Sequence, residues 1–285
     1  MADPQALTRT PSVPTMRQVI VCADDFAVHQ SASLGMAKLA HMGRISATSA
    51  MVLSPRWGQD VALLQDLRGQ IDVGLHLDWT SSFAIAAGYG MPLGAAMRRA
   101  VLGGFDQVQA SRVIERQLDL FEAHWQAPPD YVDGHQHVQQ FAGIREALVQ
   151  VLSQRYATST VQPYLRISRA PAGLRDIKSR VIAWMGANAL EKRAACEGIL
   201  SARALFGIYN FEGDSARYAT LMAHWLARAP AGGILMCHPA QAAEPGDEIG
   251  VARAQEFAYL ASPEFAAALV AAKVEIVRGH ASNRC

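Results

Sequence analysis

Between residues 19 and 277, short apolar runs rich in β-branched residues alternate with longer stretches of helical periodicity. That alternation leaves few folds open. Runs at 19–22, 45–53, 71–77, 131–132, 164–167, 204–208, 233–237 and 274–277 read as strands. Helical patterns fill 31–42, 57–67, 141–155, 174–200 and 216–228, and Gly43 is the stop signal of the first. Gln107–Trp125 is the strongest of them, with Val108, Val113, Ile114, Leu118 and Phe121 near helical spacing. Residues 80–105 are Gly-rich and predict an irregular substrate loop, too long for a plain connection. Seven or eight strands separated by helices predict an α/β fold with a parallel sheet. A chain of 285 residues is the length of one closed barrel. The competing open doubly wound sheet calls for a Gly-rich phosphate loop after the first strand. This strand runs instead into Ala23-Asp24-Asp25-Phe26.

Composition narrows the function classes. Half the residues are apolar, 18% are charged and the net charge is +1, with Lys and Arg scattered. This excludes a disordered chain and leaves no basic footprint for nucleic acid or an anionic membrane. The four cysteines form no C-x-x-C pair. Cys22 and Cys237 lie in apolar runs and read as buried thiols, in keeping with a cytoplasmic protein. The polar, Pro-containing residues 1–16 read as a disordered tail without a signal peptide, ahead of a single domain over 17–285. No apolar run is long enough for a transmembrane segment. Monomer and homodimer both remain open.

Chemistry-bearing residues gather where the predicted strands end. Asp24 and Asp25 follow the first strand and His76 closes the third. Asp133, His135 and His137 follow the fourth, Arg166 closes the fifth, Tyr209 and Asn210 follow the sixth, and His238 follows the seventh. Barrels build their active sites at this rim. Each signal alone has a plain structural explanation. An Asp can cap a helix, a His can sit hydrogen-bonded in a core, and Pro239 can simply end a strand. Taken together they supply a carboxylate and two imidazoles, the facial set that holds a divalent metal with open positions, plus a spare carboxylate and a spare imidazole. His135 and His137, two residues apart, are expected to point the same way from an extended chain.

At Ala23-Asp24-Asp25-Phe26, Gly74-Leu75-His76-Leu77, Asp133-Gly134-His135-Gln136-His137-Val138 and His238-Pro239 the chain resembles the YdjC-like (ChbG/HpnK) carbohydrate deacetylases, relatives of the NodB-type polysaccharide deacetylases. The resemblance runs over roughly residues 17–280. It implies a distorted TIM-like barrel and metal-dependent removal of acetyl groups from an N-acetylated sugar or oligosaccharide. It further implies that Asp25, His76 and His135 hold one divalent metal, with Asp24 as base and His238 near the leaving nitrogen. Magnesium or zinc heads the expected metals, with nickel, cobalt and manganese behind. Asp133, His137 and Arg166 are then expected around the ligands, and Trp79, Tyr209 and Phe211 as sugar platforms. A metal-retaining sugar-binding or regulatory protein, and a sugar-ester hydrolase, are the alternatives. Ala27, Ser33, Gln139 and Ala240 depart from the family pattern, where glycine, asparagine, histidine and glycine are usual, and point to a divergent subgroup.

Overall fold

The computed structural model describes residues 16–202 and 204–279; most of the expected N-terminal tail, and Cys285, lie outside the described residues. Nine strands lie among the described residues: β1 (Arg17–Phe26), β2 (Ala47–Ala50), β3 (Asp72–Leu77), β4 (Tyr131–Gly134), β5 (Tyr164–Arg166), β6 (Ser201–Ala202), β7 (Leu205–Phe206), β8 (Gly233–Cys237) and β9 (Val274–Ile276). All pairings are parallel, in the order β6-β5-β4-β3-β2-β1-β8-β7, and β9 adds to the start of β1. The two ends of this order belong to neighbouring stretches of chain. Residues 201–202 pair with β5 and residues 205–206 with β8, so the two edge strands are close neighbours in sequence. The result is a nearly closed, distorted TIM-like barrel.

Strand alternation sorts the side chains into two layers. Ile20, Cys22, Ala47, Tyr131, Tyr164, Leu205, Ile234 and Met236 form one buried cluster, which fills the barrel. Val19, Val21, Ala23, Val73, Leu75, Val132, Leu165 and Leu235 alternate with them and join the larger cluster made with the helices. Inside, Tyr131 and Tyr164 stack with ring centroids 5.2 Å apart. Gly74 makes room for them: a Cβ there would meet the Tyr131 ring at 2.4 Å. The glycine of the Gly74-Leu75-His76-Leu77 motif is thus a packing requirement of the barrel interior.

Several expectations change in detail. The irregular loop over 80–105 contains two helices, Ser82–Ala86 and Leu93–Leu102. Ser81 caps the first by accepting from the Phe83 and Ala84 N–H groups. Glycines at 88, 90, 94, 103 and 104 obscured the helical pattern. The helix predicted over 57–67 is α-helical only at Trp57–Asp60 and continues as a 3-10 helix over Val61–Leu67. No described helix is long and apolar enough to cross a membrane.

Candidate metal centre at the barrel mouth

The interior alternation that packs the barrel also builds the site. Continuing it by one step beyond the apolar layer gives Asp24 after Cys22, Ser49 after Ala47, Asp133 after Tyr131, Arg166 after Tyr164, and His238 after Met236. His76 occupies the same layer two residues past Gly74. Asp24, Asp133 and Arg166 are all at most 2% exposed.

Arg166 is the hub of this layer. Its guanidinium donates to both oxygens of Asp24, at 2.6 and 2.7 Å, and reaches Asp133 Oδ2 at 2.9 Å. Ser49 Oγ donates to the same Asp133 oxygen at 2.6 Å. Cys22, Asp24 and Asp133 are close enough to resemble a second metal group, but the guanidinium is the cation that they surround. Burial alone would raise the Asp24 pKa; Arg166 outweighs it and holds the carboxyl well below its usual range.

Asp25 should face outward by alternation, since Asp24 faces in. It does not, because its φ of 69° bends the chain and the β1–β2 register shifts between Ala23 and Phe26. A left-handed aspartate is tolerated better than most residues, and such strain gathers at functional sites. The bend aims Asp25 Oδ1 at His135 Nδ1, 3.0 Å away, and at His76 Nε2, 3.3 Å away. Ala27 shares the left-handed conformation with φ 71°. This explains the usual glycine there. Its N–H donates to Ser33 Oγ, and Ser54 Oγ donates to its carbonyl. Two of the departures from the family pattern, Ala27 and Ser33, therefore touch each other.

Asp25, His76 and His135 offer three ligand atoms within 4.8 Å of one another. The surroundings fit a cation. His76 Nδ1 meets Asp133 Oδ1 at 2.6 Å while Nε2 faces Asp25 Oδ1 at 3.3 Å, and a neutral ring protonated on Nδ1 would turn the Nε2 lone pair at that carboxylate. That contact is repulsive unless positive charge lies there. Burial would lower the His76 pKa, yet Asp133, Asp25 and Asp24 push it up to about 10. The Asp133–His76 pair is also the usual support for a metal-binding imidazole, fixing tautomer and ring orientation.

His238 is half-buried at the same mouth, edge-on to Phe211 with ring centroids 5.1 Å apart. Among the described residues its buried Nδ1 has no hydrogen-bond partner. Burial lowers its pKa to about 4, against the pull of Asp25 and Asp24. A cleft of about 950 Å³ opens over Asp24, Asp25, His76, His135 and His238. Tyr209 and Phe211 line it. Trp79 does not; it is buried against Tyr89 and Phe105. His137 also lines the cleft, but it diverges from His135. Gln136 and His137 have φ of 53° and 64°, so the chain turns there and is not extended as expected. His137 Nδ1 meets Ser168 Oγ at 3.0 Å.

Two residues absent from the expected set approach the site from helix Gly250–Leu260. Arg253 reaches Asp25 Oδ2 at 2.7 Å. Glu256 accepts from the Tyr209 hydroxyl at 2.7 Å and from the His238 backbone N–H. Both sit on the helix's buried stripe beside Ala252, Tyr259 and Leu260. Charges at positions that helical spacing turns inward are the signal that could have revealed them. Burial raises the Glu256 pKa from 4.5 to about 7. The folded state therefore holds that proton more tightly than the unfolded chain. The resulting stability is full below about pH 4.5 and is lost as pH rises through about 7. The loss is about 3 kcal/mol. Glu256→Gln, neutral throughout, should escape it. Urea unfolding at about pH 5 and about pH 8 checks this, and parallel pH dependence in the two proteins would refute it.

The fold and the site define a parallel barrel with a carboxylate–imidazole cluster, a candidate metal site, at its C-terminal mouth. The chain belongs to the YdjC-like protein family, whose sequence profile matches residues 18–271. It is 27% identical over 173 residues to a chitooligosaccharide deacetylase of Serratia marcescens, a stretch covering 56% of this chain and 62% of that protein. A crystal structure from Enterococcus faecalis V583, of a protein assigned to cellobiose-phosphate cleavage, shares the fold. It aligns with a TM-score of 0.66 at 17% identity, over 93% of this chain and 98% of that one. The Xyl-CE4 domain of a multidomain xylanase from a Trinervitermes trinervoides hindgut metagenome aligns at a TM-score of 0.51 and 7% identity, over 94% of this chain and 90% of that one.

Proposed function

We propose that the protein is a metal-dependent hydrolase that removes N-acetyl groups from an N-acetylated sugar. The observation that carries this reading is Asp25 Oδ1 turned towards two imidazoles, with a second carboxylate, Asp24, and a second kind of proton carrier, His238, at the same mouth. The S. marcescens relative supplies the substrate class. Asp25, His76 and His135 would hold the ion, and two imidazoles suit zinc, nickel or cobalt better than magnesium on affinity grounds. When bound, a divalent ion polarises the acetamide carbonyl and lowers the pKa of water.

The chain's own groups manage the proton. Hydrolysis adds water oxygen to the acetyl carbon, breaks the C–N bond and delivers a proton to the sugar nitrogen. Asp24 takes the proton from the attacking water. That proton moves on from Asp24 to neutral His238, which delivers it to the departing nitrogen, so Asp24 ends ionised and His238 neutral. In the free protein Asp24 is ionised and His238 is neutral, so the leaving nitrogen's proton has to originate in the attacking water. Arg166 keeps Asp24 aimed, and Asp133 keeps His76 aimed. Phe211 packs against the His238 ring.

The test is a panel of N-acetylated and O-acetylated sugars of different chain lengths, with acetate and free amine both measured. The reading predicts equal amounts of the two products from the N-acetyl compounds. Acetate from O-acetyl sugars alone would make the protein an esterase, and binding without any acetate would make it a binding protein.

A further inference from the structure

We propose that Arg253 is a positioning residue that confines Asp25 to a single metal-facing oxygen and so keeps a coordination position open for the reaction. This rests on the metal-dependent reading above. Asp25 divides its two oxygens: Oδ1 faces His76 and His135, while Oδ2 accepts from Arg253 at 2.7 Å. Arg253 is 4% exposed and is itself held. Its Nε donates to Asp247 Oδ2 at 2.7 Å. Asp247 Oδ2 in turn meets His29 Nε2 at 3.1 Å. The His29 tautomer follows from its other nitrogen, which accepts from the Ala32 N–H at the start of helix Gln30–His41; the proton is therefore on Nε2 and points at Asp247. The His29–Asp247–Arg253 chain thus anchors one end of the guanidinium fork while the other end occupies Asp25 Oδ2.

A carboxylate can offer a metal one oxygen or both. Three single-atom ligands leave room for water and for a substrate oxygen; a chelating carboxylate takes up one of those positions. Arg253 competes for the second oxygen, and a rigid fork does so with fixed geometry. The inner carboxylates share this arrangement, since Asp24 and Asp133 are likewise engaged by Arg166. Asp25 Oδ1 is the oxygen left turned to both imidazoles.

A residue that merely props up the metal pocket would weaken metal binding when removed. A residue that restrains Asp25 would not, because its loss frees an oxygen and removes a repelling positive charge. The two roles differ in sign. Arg253→Gln and wild type are compared by calorimetric titration with zinc and cobalt, by the visible spectrum of the cobalt form, and by acetate release. The expected variant binds both metals as tightly as wild type or up to about tenfold tighter, shows a changed cobalt spectrum, and loses at least about tenfold in kcat. Arg253→Lys, which keeps a charge but cannot hold two carboxylates as a fork, should shift the cobalt spectrum the same way. It serves equally if the glutamine variant does not fold. Weaker metal binding, or an unchanged cobalt spectrum, in a folded variant would overturn the proposal alone. Wild-type protein that binds no metal would overturn it together with the functional reading.

Discussion

Arg166→Met is expected to lower stability by about 3–5 kcal/mol, the usual consequence of stripping one partner from a buried charge pair. Arg166 is fully buried and serves two carboxylates at once. Methionine fills part of the volume but leaves Asp24 and Asp133 facing each other without a counter-charge. The damage should reach His76, because Asp133 orients its ring through a 2.6 Å contact. Denaturant unfolding measures the loss. A loss below about 1 kcal/mol, typical of an exposed pair, would mean that water enters this layer and that Arg166 does not organise it.

Asp24→Asn should reduce kcat by at least about a hundredfold while the protein keeps its metal. The amide has nearly the shape of the carboxylate but cannot take a proton from water. One contact to Arg166 is lost as well, since the amide nitrogen would face a guanidinium donor. Unfolding must therefore be measured beside turnover. Asp25→Asn should behave in the opposite order and lose metal first. If Asp24→Asn empties the metal site, or keeps full turnover, the roles of the two aspartates must be exchanged or abandoned.

The two aspartates also show how far the sequence could be read. Placing chemistry-bearing residues at strand ends was enough to gather Asp24, Asp25, His76, His135, Arg166 and His238 at one mouth, because strand alternation and barrel topology act over the whole chain. Which aspartate faces which partner was not legible in that spacing. Strict alternation sends neighbours to opposite faces, and Asp25 returns to the mouth only through its left-handed backbone. The same cause separated His135 from His137, whose turn at 136–137 replaces the extended chain expected. Arg253 and Glu256 lie far along the chain on a helix, outside the strand-end pattern altogether. Trp79 illustrates the converse. Nothing in its local sequence separated a sugar platform from a core aromatic, and packing against Tyr89 and Phe105 decided it.

Acetate release is expected to depend on one ion held by Asp25, His76 and His135, whose ligand atoms lie within 4.8 Å of one another. Metal content and deacetylation should be measured on the same samples of wild type, His135→Ala and the His76→Ala/His135→Ala double variant, before and after chelation and re-addition of zinc, nickel, cobalt, manganese and magnesium. The account predicts about one ion per wild-type chain, turnover that vanishes on chelation and returns with metal, and neither bound ion nor turnover in the double variant. Stoichiometric metal in the double variant, or wild-type turnover that survives complete chelation, would contradict it.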